Sequence, residues 1–168
     1  MDHKRQITQM FHDEHLVTVS TLDRFDALLQ KYRKRPPGES ADDPEFDRAL
    51  RDLEALIASD VVAHFAFEEE SLFPLLAKAG DQDMSVLLAE EHNTIRDSAT
   101  SLTAVITAVR KGKISDQDWS ELRQRGLAFI ELMLGHIQKE EMGLLLTLDD
   151  VLDEQHDAEL VMDYSALR

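Results

Sequence analysis

Residues 64–74 read HFAFEEESLFP, with His64 and Glu68 one helical turn apart among Phe65, Phe67, Leu72 and Phe73. Aromatic and leucine residues at that spacing mark a buried face, where an unpaired imidazole or carboxylate is costly. The combination returns in GHIQKEE at 135–141, which carries His136 and Glu140. Single histidines add to it: His15 in DEHLVTV (13–19) and His92 in EEHNTIR (90–96). Neutral imidazoles and carboxylates suit iron, manganese or zinc, and the chain has no cysteine to offer a softer ion. Six donors are too many for one tetrahedral zinc and fit two metals better.

The elements that must position these residues follow from the apolar spacing. Phe11, Thr18, Leu22, Phe25, Leu29 and Tyr32 recur at steps of three and four only when His15 is counted. A second seam runs through Phe46, Leu50, Leu53, Ile57, Val61, Leu72 and Leu75, with His64 and Glu68 filling its gap. Leu88, Ile95, Ala99, Leu102, Ile106 and Val109 need His92. The last seam is Trp119, Leu122, Gly126, Phe129 and Met133, continuing through His136 and Glu140 to Gly143. Seams of this period belong to helices that bury one face.

Breaks fall between the seams. KRPPGESADDP (34–44), KAGDQD (78–83) and KGKIS (111–115) separate four long segments. Pro44 suits a first helical position with Asp43 as its cap, and Ser115 with Asp118 resembles a capping box. Gly80 and Gly112 end the second and third segments, and the fourth is expected from about 116 to 146. No sustained alternation or hairpin turn suggests a strand. The expected fold is all-α: an antiparallel up-down-up-down four-helix bundle over about 3–147, with a weakly amphipathic C-terminal helix over about 149–166. Length allows one domain spanning 1–168 and not two comfortable ones.

In such a bundle the six donors meet. His15 and His64 lie at similar distances from the first connection, and His92 and His136 do so around the third. The rise of about 1.5 Å per residue then puts each pair at nearly one level. The halves also repeat. DEHLVTVSTL (13–22) echoes EEHNTIRDSA (90–99), and AHFAFEEESLFPLL (63–76) echoes GHIQKEEMGLLLTL (135–148). A lone histidine on an apolar face is usually a satisfied core residue, and a lone buried glutamate usually finds an arginine. Four imidazoles and two carboxylates at one level, with no basic residue on the same seams, instead call for cations. With two histidines on each metal and Glu68 and Glu140 bridging, an oxo or hydroxo bridge supplies a fifth ligand. An octahedral ion then keeps one open position facing its neighbour's, which suits a small diatomic molecule or peroxide.

This order, His, then His-x-x-x-Glu, then His, then His-x-x-x-Glu, resembles the hemerythrin-like proteins of the HHE cation-binding type, whose relatives include the myohemerythrin bundle. The resemblance runs from about His12 to Leu148, and HFAFEEESLFP is close to the usual wording of the family's second helix. It implies two iron ions, replaceable by zinc or manganese, on His15, His64, Glu68, His92, His136 and Glu140. It also implies binding of, or reaction with, oxygen, peroxide or nitric oxide. The alternatives are iron or oxygen sensing, or metal binding without turnover. One position departs from the oxygen carriers: their further histidine, one turn after the third-helix ligand, is Arg96 here. Without it the asymmetric pair does not carry over, which weighs against simple oxygen storage.

Charge excludes other classes. A net charge of −16 and pI near 4.7 argue against nucleic acid or an anionic membrane as partner. No run approaches the roughly 20 apolar residues of a spanning helix, and the N-terminus lacks the apolar region of a signal peptide. A cytoplasmic protein is expected. Outside the six donors, His3 and His156 read as solvated, and His12, one turn before His15, as a surface histidine or else as an alternate ligand or a residue supporting one. Glu69, Glu70, Glu91 and Glu141 read as surface charge pointing away from the seams, with a swapped bridge as the alternative, and Tyr32 and Tyr164 as too distant to assign. Partners orienting the ligand imidazoles are required, but no spacing identifies them.

Overall fold

The structure, a computed structural model, describes residues 3–167. Its helices are α1 (Gln6–Lys31), α2 (44–78), α3 (Gln82–Val109), α4 (116–151) and α5 (Glu154–Ala166). No β-strand occurs among the described residues, although an isolated antiparallel bridge between Glu39 and Lys113 ties two loops at one end. None of the described helices is long and apolar enough to cross a membrane.

Local chemistry sets the helix ends. The Asp43 carboxylate accepts from the backbone N–H groups of Glu45 (2.9 Å) and Phe46 (3.3 Å), satisfying donors that open α2. Ser115 and Asp118 form a reciprocal capping box at the start of α4. Gly80 closes α2 with φ 109°, a conformation that an L side chain rarely adopts. Contacts along the helices fix their directions. Tyr32 at the end of α1 meets Phe46 near the start of α2, whereas His15 meets His64 further along. Likewise Arg110 reaches back to Glu54, while Glu69 bonds His92. Arg125 bonds Ser101, while His136 bonds Glu91. Consecutive helices are therefore antiparallel. Gly126 lets α4 come close to α1, because a Cβ there would lie 2.7 Å from the Phe25 ring.

The apolar core has two parts. One cluster holds Leu22, Phe25, Leu53, Phe65, Ile95, Phe129 and Met133, and the other holds Ile7, Phe11, Phe67, Leu72, Leu88, Leu144 and Tyr164. Burying a Leu or Phe side chain stabilises by about 1.5–3 kcal/mol, so both clusters favour the bundle strongly. Between them lies the layer with the six polar donors.

Two expectations are corrected. Leu75 and Gly143 are only half-buried, and Leu76 and Leu144 take the inward positions instead. The cause is local: α2 has π-helical turns at Asp60–His64 and Glu68–Leu72, and α4 has one at Glu140–Leu145. Such a turn holds more residues than an α-turn, so the buried face advances. The fourth helix also continues to Val151, and the C-terminal helix begins at Glu154 rather than near 149. Asp153 caps α5, which folds back onto α1. There Asp157 accepts from the N–H groups of Gln6 and Ile7, and Asp149 from that of Arg5. The C-terminal segment thus caps α1, whose own N-cap residue, Arg5, makes no side-chain cap.

Candidate metal centre

His15 comes from α1, His64 and Glu68 from α2, His92 from α3, and His136 and Glu140 from α4. None is more than 5% exposed. The structure brings all six together, in two overlapping groups: His15, His64, Glu68 and Glu140, and Glu68, His92, His136 and Glu140. Within each group, one donor atom per residue lies within 4.8 Å of the others. Glu68 and Glu140 belong to both. Glu68 places Oε1 3.1 Å from His64 Nε2 and Oε2 3.4 Å from His92 Nε2. Glu140 places Oε2 3.2 Å from His15 Nε2 and Oε1 2.8 Å from His136 Nε2. One oxygen of each carboxylate thus faces each group. The π-turns adjoin His64, Glu68 and Glu140, so the wide turns occur where helix positions must be re-aimed.

Behind every histidine stands a carboxylate. His15 Nδ1 lies 2.6 Å from Glu141, His64 Nδ1 2.9 Å from Glu14, His92 Nδ1 2.7 Å from Glu69, and His136 Nδ1 3.0 Å from Glu91. The pattern is cyclic: each helix lends one carboxylate to the histidine of the next, α1 to α2 through to α4 back to α1. An ionised carboxylate only accepts, so each Nδ1 carries the donated hydrogen. A neutral imidazole then turns the lone pair of its Nε2 inward, which is the form that binds a metal.

These inward atoms are poorly served by the protein alone. His15 Nε2, both oxygens of Glu68 and Glu140 Oε1 are buried without a hydrogen bond, since their close approaches lack hydrogen-bond alignment. His92 Nε2 and His136 Nε2 lie 2.9 Å apart, too close for two lone pairs without a proton or cation between them. Burial alone would push the imidazoles down. The facing carboxylates outweigh it, raising His15 and His92 to about 9 and His64 well above its ordinary value. Burial would raise Glu140, but His136, His15 and His92 hold it well below the usual carboxylate range. Without a metal the layer therefore keeps protons as its cations. A buried unsatisfied donor or acceptor costs roughly 1–3 kcal/mol, and a metal ion relieves several at once. The residues fit such an ion.

Several expectations change. Glu69, Glu91 and Glu141 do not point away: they hold His92, His136 and His15. Glu14, which lies outside the expected site, holds His64. A signal existed, because Glu14 and Glu91 each directly precede a seam histidine, and Glu69 and Glu141 each directly follow a seam glutamate. Tyr164 is not distant. The docking of α5 buries it at 2% exposure, and its hydroxyl donates to Glu14 at 2.6 Å. His12 bonds Glu141 at 2.9 Å, and the His3 side chain is only 2% exposed, so neither is a solvated surface histidine. Glu70 and His156 are exposed, as expected. Arg96 pairs with Glu69 at 2.8 Å and belongs to neither donor group. Tyr32 donates to Asp43 near the opposite end of the bundle.

The outer carboxylates lend themselves to a direct test. Glu91→Ala should weaken metal binding about 10–100-fold by releasing the His136 ring. Glu70→Ala should not. Competition with a chromophoric chelator measures both, and equal affinities would remove the orienting role from Glu91.

Comparison with known proteins bears on the same residues. No curated protein matches the chain. The family model described as hemerythrin HHE cation binding domain matches residues 6–148, a stretch containing all six inward donors. Over most of its length, therefore, this chain belongs to the hemerythrin HHE cation-binding family.

Proposed function

We propose that this protein is a cytoplasmic non-haem di-iron protein that binds or reacts with oxygen, peroxide or nitric oxide. His15 and His64 would hold one ion, His92 and His136 the other, and Glu68 and Glu140 would bridge them. Manganese or zinc would fit the same donors. The observation that carries this reading is the sharing of Glu68 and Glu140, one oxygen to each group. A bound iron pair supplies redox-active Lewis-acid centres at which a small oxidant can bind and be reduced. The chain does the rest. Its four outer carboxylates fix the imidazole tautomers, and two apolar clusters exclude water. Glu14, held by Tyr164, keeps His64 in place.

Loading with ferrous iron without air should place two ions per chain on these six donors. Oxygen or peroxide should then oxidise the protein within seconds, and azide should add a visible absorption band to the oxidised form. Arg96, tied to Glu69, supplies no donor to either group, so each ion would keep a position open to exchange. Reversible oxygen uptake without oxidation would restore the carrier reading. Indifference to oxygen, peroxide and azide would leave storage, sensing or a structural metal.

A further inference from the structure

Beside the central layer lies a second set of metal-ligating side chains. His3, His12 and Glu141 each offer one donor atom, and these lie within 4.8 Å of one another. His12 Nδ1 approaches Glu141 Oε2 at 2.9 Å, and the His3 and His12 rings are 5.4 Å apart. The place is built rather than loose. The His3 backbone N–H donates to Gln9 at 2.9 Å, and its side chain is 2% exposed. His3 Nε2 is nevertheless buried with no hydrogen-bond partner. A soluble protein gains nothing by burying an imidazole nitrogen unsatisfied, since the lost hydration is not replaced.

We propose that His3, His12 and Glu141 form a third divalent-cation site, which passes metal to the central pair. Two imidazoles and one carboxylate with positions left for water suit ferrous iron, zinc or cobalt. Its place supports the relay, a role that rests on the di-metal reading. Glu141 Oε2 faces His12 while Oε1 holds His15 Nδ1 at 2.6 Å, so one carboxylate touches both sites. His12 is 13% and Glu141 24% exposed at the side chain, against 5% or less for the central donors. An ion arriving from solvent therefore meets the outer set before the sealed layer.

Cobalt(II) titration of the metal-free full chain, followed by its visible bands and by bound cobalt, tests this. The wild-type protein should take up three ions per chain and His3→Gln two. The doubly substituted Glu68→Gln, Glu140→Gln protein, which lacks the shared carboxylates, should retain one. Adding His3→Gln to it should abolish that last ion. With cobalt added in stopped flow, His3→Gln should also fill the central pair several-fold more slowly. Saturation of wild type and His3→Gln at the same number of ions would overturn the third site. Equal filling rates would overturn the relay. A failure of the di-metal reading looks different: the wild-type protein would take one ion, and His3→Gln none.

Discussion

Removing metal from the six inward donors at neutral pH should lower the melting temperature by tens of degrees if two ions are lost. An ion that binds only the folded state, at a thousandfold above its dissociation constant, stabilises by about 4 kcal/mol. In a domain of this size each kcal/mol moves the midpoint by about 2–4 °C. One ion is then worth roughly 8–16 °C. His64→Ala and His136→Ala should each remove much of the difference between loaded and stripped protein. His156→Ala, at a ring 63% exposed on α5, should remove none of it. Thermal melts of the three variants, with and without chelator, measure this. Equal effects in all three would deny the buried histidines any special standing.

The difference should also grow with pH. His15 and His92 are raised to about 9 in the folded protein without metal, against about 6.5 in an unfolded chain. Their protonation therefore stabilises the stripped protein fully below pH 6.5, and that stabilisation is lost as pH rises through 9. Metal binding runs the other way, because the imidazoles must give up those protons to bind. A gap between loaded and stripped melts that shrank from pH 6.5 to 9 would contradict this account.

Replacing one of the two shared carboxylates should cost two ions, whereas replacing one histidine should cost one. Glu140 presents Oε2 to His15 and Oε1 to His136, so both donor groups depend on it. Glutamine keeps the volume but has one side-chain oxygen and no charge, and it cannot serve both groups. Glu140→Gln, and Glu68→Gln by the same geometry, should lower the iron held by the six inward donors from two per chain toward none. His15→Ala removes a donor from one group alone and should leave about one ion on His92 and His136. Metal analysis after desalting, with helicity checked by circular dichroism, separates the cases. If Glu140→Gln kept a full ion in a His3→Gln background, the two groups would not be coupled through that side chain.

Much of this was open to reading from the chain itself. His15, His64, Glu68, His92, His136 and Glu140 stand out because each fills a gap in an apolar seam, and seam position is a property of one helix and its 3.6-residue period. The caps at Asp43 and Ser115 are equally local, since a cap needs only its own next three residues. What lies beside the seam is decided elsewhere. Glu69, Glu91 and Glu141 read as surface charge because they fall off the inward stripe. They meet a neighbouring helix's histidine only through the rotation and level at which the helices pack. The π-turns in α2 and α4 do not follow from the apolar period, and they moved the buried positions from Leu75 and Gly143 to Leu76 and Leu144. The C-terminal helix shows the difference most sharply. Its weak amphipathicity forecasts little, yet contacts formed across nearly the whole chain length bury Tyr164 against Glu14 and bring Asp157 to the start of α1. Local periodicity determined which residues face inward; only the docking of helix on helix decided which carboxylate each imidazole would find.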